Sequence, residues 1–223
     1  MPFAFYSRLS RAQQRVYRQS DEIGTVTLPG AADLRPRAEV LERALGSGDR
    51  VRTEVAGQAL VDGLTTAFRV PPMRVEVKGV RPARNRGELH GLYTPSDRGR
   101  RPLLSLWMRT AQRGQVVAFR TFLRTLVHEV CHHLDYELLK LSDSFHTQGF
   151  YRRESSILRQ LLNEGITPMG QGPAGEERIL SATERPVPPW RKGPTTTETV
   201  APWQGDSEGK NGSFCIPEKQ GDG

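Results

Sequence analysis

The sequence predicts an α+β fold: N-terminal helices, a small antiparallel sheet, a long helix carrying His128-Glu129-Val130-Cys131-His132, a closing C-terminal helix, then a disordered tail. Three observations predict it. Apolar residues recur at helical spacing up to residue 68, alternate with charged residues over 73–78, and return to helical spacing over 119–162. The chain then divides into a helical segment (1–69) packed on the core, the core itself (70–165) and the tail (166–223).

Residues 4–19 read as a basic amphipathic helix, with Phe5, Leu9, Val16 and Tyr17 near one face. Gly24, Pro29-Gly30 and Pro36 mark turns. Helices follow over 37–46 and 50–68. Their apolar stripes are Val40, Leu41 and Leu45, then Val55, Leu60, Val61, Leu64 and Phe68. Pro71-Pro72 ends this part. Met73, Val75 and Val77 alternate with Arg74, Glu76 and Lys78, the mark of a half-buried strand. Residues 88–94 and 103–109 read as two more strands. The helix over 119–140 has a broad apolar face that includes Phe122, Leu126, Val130 and Leu134, which suits burial in mid-domain. The last helix spans 147–162, with Gly165 as its stop. Beyond it, Pro, Gly, Thr and charged residues dominate, and such a segment buries too little apolar area to offset its ordering entropy.

Charge is uneven along the chain. Residues 1–164 carry 26 Lys and Arg against 17 Asp and Glu, a net +9, while the remainder carries six against eight. A basic core can attract nucleic acid, so nucleic acid is a candidate partner beside a protein or peptide substrate. Cys131 and Cys215 are the only cysteines, which argues against a disulfide framework or a cysteine-rich zinc site. The N-terminus lacks the apolar stretch of a secretory signal, and no run approaches a membrane span. The expectation is a soluble chain without a membrane partner, in a reducing, cytoplasmic setting.

The chemistry concentrates in the 119–140 helix. Histidines at i and i+4 project from one helix face, so His128 and His132 can bring two imidazole nitrogens to one zinc ion. Glu129 follows the first ligand and can act as general base towards a water activated there. A third ligand is needed for a catalytic zinc. His146, before the last helix, is favoured, because a neutral imidazole at a helix start is easily aimed; Glu154, inside that helix, is its rival. Asp135 can orient a ligand imidazole or stand as a solvated carboxylate. His133 is expected mostly at the surface. Cys131 reads as a small buried hydrophobe, and His90 as a strand-face residue. Tyr93, Tyr136 and Tyr151 are candidate donors to a tetrahedral oxyanion.

HEVCHH followed by SFHTQGFYRRESSILRQLL resembles the SprT-like zinc metalloproteases, a minimal zincin family, over roughly residues 70–162. The resemblance implies a zincin-like core, zinc held by His128, His132 and His146, Glu129 as catalytic glutamate, and hydrolysis of peptide bonds. The chain departs from the pattern at Thr147-Gln148, which separates His146 from Gly149, and it lacks the cysteine-rich zinc ribbon of some relatives. Three other readings stand beside a general peptidase. They are a protease acting on nucleic-acid-bound proteins, a non-catalytic zinc-containing binding module, and a hydrolase of a non-peptide amide.

Overall fold

The structure, a computed structural model, describes residues 3–84, 87–96 and 99–164. The expected disordered tail and the Gly165 stop lie outside the described residues. In chain order, a 3-10 turn (Ala4–Arg8) leads to α1 (Arg11–Glu22), α2 (Ala31–Gly46) and α3 (Arg50–Phe68). Then come β1 (Arg74–Val80), β2 (Ala83–Arg84), β3 (Gly87–Glu88), β4 (Gly91–Thr94) and β5 (Leu103–Arg109). Two helices follow, α4 (Phe119–Glu137) and α5 (Gln148–Leu162). The described residues are therefore α+β.

Helices α1, α3 and α5 start at a side-chain cap. Ser10 and Gln13 form a reciprocal capping box at α1. The Asp49 carboxylate accepts from Val51 N at 2.9 Å and Arg52 N at 3.1 Å at the start of α3. Thr147 Oγ1 accepts from Phe150 N at 2.9 Å at the start of α5. Helix α5 ends at Asn163, which is left-handed at φ 54°.

The helix expected from residue 37 starts six residues earlier and runs through Pro36. Its buried residues Leu34, Ala38, Leu41 and Leu45 extend across the proline at helical spacing, so packing outweighs one missing N–H. Val40 and Val55, placed on apolar stripes from the sequence, are instead 47% and 66% exposed. Helix α4 stops at Glu137 rather than 140, and Lys140 is left-handed at φ 52°. The strand expected over 88–94 is shorter, with β3 pairing to β2 in a separate ribbon.

The sheet is mixed rather than antiparallel as expected. The three-stranded sheet has the order β1-β5-β4, with β5 parallel to β1 and antiparallel to β4. β4 takes the far position, and β5 then returns between β1 and β4. Its mostly apolar sequence, Leu103-Leu104-Ser105-Leu106-Trp107-Met108, suits a strand buried on both faces.

The sheet's β1 edge is covered by α3. Gln58 Oε1 accepts from Val75 N at 2.7 Å and Glu54 Oε2 accepts from Val77 N at 2.9 Å. Gln58 Nε2 donates to Met73 O at 2.9 Å and Arg50 Nη1 to Val77 O at 3.1 Å. Positions 50, 54 and 58 share one helix face, so they satisfy strand groups that would otherwise invite another chain. The opposite edge, β4, lies against α4. Residues of α2, α3, the sheet, α4 and α5 contribute to one apolar core, so α2 and α3 pack into the same core as the rest. No helix among the described residues is long and apolar enough to cross a membrane.

Candidate metal centre

Helix α4 presents His128 and His132 one turn apart, and His146 meets them from the segment before α5. One ring nitrogen of each lies within 4.8 Å of the other two. His146 Nε2 stands 2.9 Å from His128 Nε2 and 3.1 Å from His132 Nε2. The Thr147 cap starts α5 immediately after His146 and fixes where that ring emerges. Phe150, fully buried, underlies all three imidazoles, with centroid distances of 4.8–5.1 Å.

The partners of the other ring nitrogens assign the tautomers. Glu154 Oε2 lies 2.9 Å from His128 Nδ1, and a carboxylate accepts, so Nδ1–H donates. His132 Nδ1 lies 2.8 Å from Ser144 Oγ, whose own hydrogen goes to Asp135 Oδ2 at 2.7 Å, so His132 Nδ1–H donates too. The Nε2 atoms of His128 and His132 therefore carry lone pairs, and both point at His146 Nε2. One proton on His146 cannot bridge both contacts, whereas a cation among the three nitrogens satisfies all of them. Burial and the neighbouring imidazoles push His132 well below the usual histidine range and His146 down to about 3. Both rings are neutral at physiological pH, as ligation requires. The residues fit a metal ion.

Glu129 is buried beside this group, and burial raises its carboxyl to about 7. It accepts a hydrogen bond from the Tyr93 N–H of β4. Gly91 of the same strand makes room for it: a Cβ there would stand 2.6 Å from Glu129 Oε1 and 2.7 Å from Thr125 Cγ2.

Glu154 is not a third member of the cluster. It sits behind His128, on the nitrogen that faces away from the other histidines, and Arg124 Nε approaches its Oε1 at 3.4 Å. Asp135 is fully buried rather than solvated, and it reaches His132 only through Ser144. His133 is also fully buried, against expectation. Its Nε2 donates to Pro71 O at 2.8 Å, so its Nδ1 accepts from Tyr93 Oη at 3.0 Å. That commits the Tyr93 hydroxyl elsewhere than to an oxyanion. Helix α4 is buried on nearly every side, so a position 100° from the ligands still faces protein. Tyr136 stacks on Tyr93, while Tyr151 lies with its ring over His146 at 5.8 Å. Cys131 is a buried thiol that burial holds protonated, and His90 is buried just before β4 outside the cluster.

Sequence reasoning missed Ser144, Arg153 and Gly91. Arg153 left one signal: it shares a helix face with Phe150 and Ile157, a core position for a charged residue. Ser144 and Gly91 left none, because their partners lie on other elements.

No family model, curated protein or solved structure matches the chain.

Proposed function

We propose that this chain is a zinc-dependent peptidase of the SprT-like, minimal-zincin kind. One observation carries the reading: three imidazoles aim Nε2 at a common point beside a buried glutamate. An all-histidine trio with imidazole donors suits zinc, and three protein ligands leave a fourth position for chemistry. When bound, zinc supplies Lewis acidity that makes a water nucleophilic near neutral pH and polarises the scissile carbonyl.

The chain's own residues do the remainder. Glu129 takes the proton of the attacking water and later delivers it to the leaving amine. A carboxyl near 7 before metal is added is poised for both transfers, and the Tyr93 N–H holds it in place. Glu154 and Ser144 fix the tautomers of His128 and His132. Edge strand β4 borders Glu129, which favours an extended peptide laid along the sheet edge. The basic charge of residues 1–164 favours, as a second reading, protein substrates carried on nucleic acid. DNA stimulation that disappears at moderate salt tests it.

The test of the main reading is hydrolysis of an unfolded protein by the full chain and by Glu129→Gln. The variant keeps its metal and loses about 10²–10⁴-fold in rate. Equal hydrolysis by both proteins, or none by a metal-loaded wild type across a range of unfolded substrates, contradicts the peptidase reading.

A further inference from the structure

We infer that Arg153, Asp135 and Ser144 form a positioning relay that aims His132 and ties the metal centre to helix α1. The inference rests on the metal reading above. His132 Nδ1–H donates to Ser144 Oγ at 2.8 Å, Ser144 donates to Asp135 Oδ2 at 2.7 Å, and Arg153 Nη2 donates to Asp135 Oδ1 at 2.8 Å. Asp135 and Arg153 are buried, at 0% and 2% exposure. A hydroxyl between two partners could run in either direction. The carboxylate settles it, because it accepts only, and the remaining Ser144 lone pair is left for His132. His132 is thereby fixed with Nε2 free and aimed at the other two histidines.

Arg153 extends the relay beyond the site. Its Nη1 donates to Ser20 O at 2.6 Å and also to Ile23 O, and its Nη2 donates to Ser20 Oγ at 3.0 Å. These carbonyls belong to the C-terminal end of α1, where a cation is favoured. Ser20 Oγ also lies 3.3 Å from Thr147 Oγ1, the cap that follows His146. Gly149 N donates to Asp21 Oδ1 at 2.8 Å, and a Cβ on Gly149 would stand 2.5 Å from Asp21 O. Helix α1 therefore braces the segments that carry His132 and His146. It lies outside the residues that carry the family resemblance, yet it belongs to the metal centre.

The test is zinc affinity by chelator competition, with the visible spectrum of the cobalt-substituted protein, on full-length wild type, Ser144→Ala, Ser144→Thr and Arg153→Lys. Ser144 is a half-buried loop residue, so its variants keep the fold, which far-UV circular dichroism checks. Ser144→Ala weakens zinc binding about 10–100-fold and changes the cobalt spectrum. Ser144→Thr keeps the hydroxyl and stays near wild type. Arg153→Lys also weakens binding, because an ammonium cannot fork between Asp135 and the α1 carbonyls. Wild-type zinc affinity in a folded Ser144→Ala overturns the relay and leaves the metal reading standing. Absence of metal binding in wild type overturns that reading, and the relay with it.

Discussion

Glu129 shows how tightly single residues are matched at this site. Its side chain occupies the space that Gly91 leaves open, and the next residue but one, Tyr93, supplies its hydrogen bond. Gly91→Ala puts a methyl group where the carboxylate stands. The glutamate swings away, and hydrolysis falls by about 10²-fold, the cost of a misplacement near 1 Å. Metal content stays at the wild-type level because no ligand moves; full activity in Gly91→Ala contradicts this placement. Glu129 also predicts a pH signature in the metal-stripped protein. Its folded carboxyl titrates near 7, against about 4.3 in an unfolded chain. The folded state keeps the proton to higher pH, so this group's contribution to stability is lost as pH rises from about 4.3 through 7. Glu129→Gln removes the dependence. The lowered pKa values of His132 and His146 act in the opposite sense below about 6.5, but wild type and variant share them. The stability difference therefore grows from near zero at pH 4 to on the order of 3 kcal/mol in favour of Gln above pH 7. Urea unfolding at several pH values measures it, and a pH-independent difference contradicts it. At this scale the i, i+4 histidines and Glu129 were legible, because ligand spacing is local to one helix. Ser144 and Arg153 were not, since their meaning comes from partners on α4 and α1.

Between elements, closeness of approach decides which substitutions the fold accepts. Gly57 in α3 and Gly149 in α5 are both helical, and alanine favours a helix interior by about 1 kcal/mol over glycine. A Cβ at Gly57 would meet Val75 Cγ1 at 3.6 Å, an ordinary contact. At Gly149 it would press on the backbone carbonyls of Ser20 and Asp21. Gly57→Ala therefore stabilises by about 0.5–1 kcal/mol, and Gly149→Ala destabilises by about 1–3 kcal/mol as α1 is pushed off α5. Denaturant unfolding of the two variants checks the signs, and a stabilising Gly149→Ala contradicts the docking of α1. Several elements were legible from their periods: α3, β5 and α5 lie within a residue of their expected limits, and β1 within two. Strand direction was not. Alternation identifies a buried face but not its neighbour, and here β5 comes back between β1 and β4. Pro36 misled for a related reason, since the apolar spacing on both of its sides carries α2 across it.

Across the molecule, α2, α3, the sheet, α4 and α5 share one apolar core. The histidine trio therefore stands on packing that runs from α2 to α5, with α1 tied to it by the Arg153 hydrogen bonds. Residues 1–164 carry the basic excess, and the acidic balance falls in the remaining residues. The zinc content of the purified full chain, measured by inductively coupled plasma mass spectrometry, tests whether this arrangement holds a metal. The three-histidine site predicts about one zinc per chain in wild type and in Glu129→Gln. It predicts loss in His128→Ala, His132→Ala and His146→Ala. Zinc below a tenth of an equivalent in wild type, even after the metal is supplied and excess removed, would mean that the three histidines hold no metal.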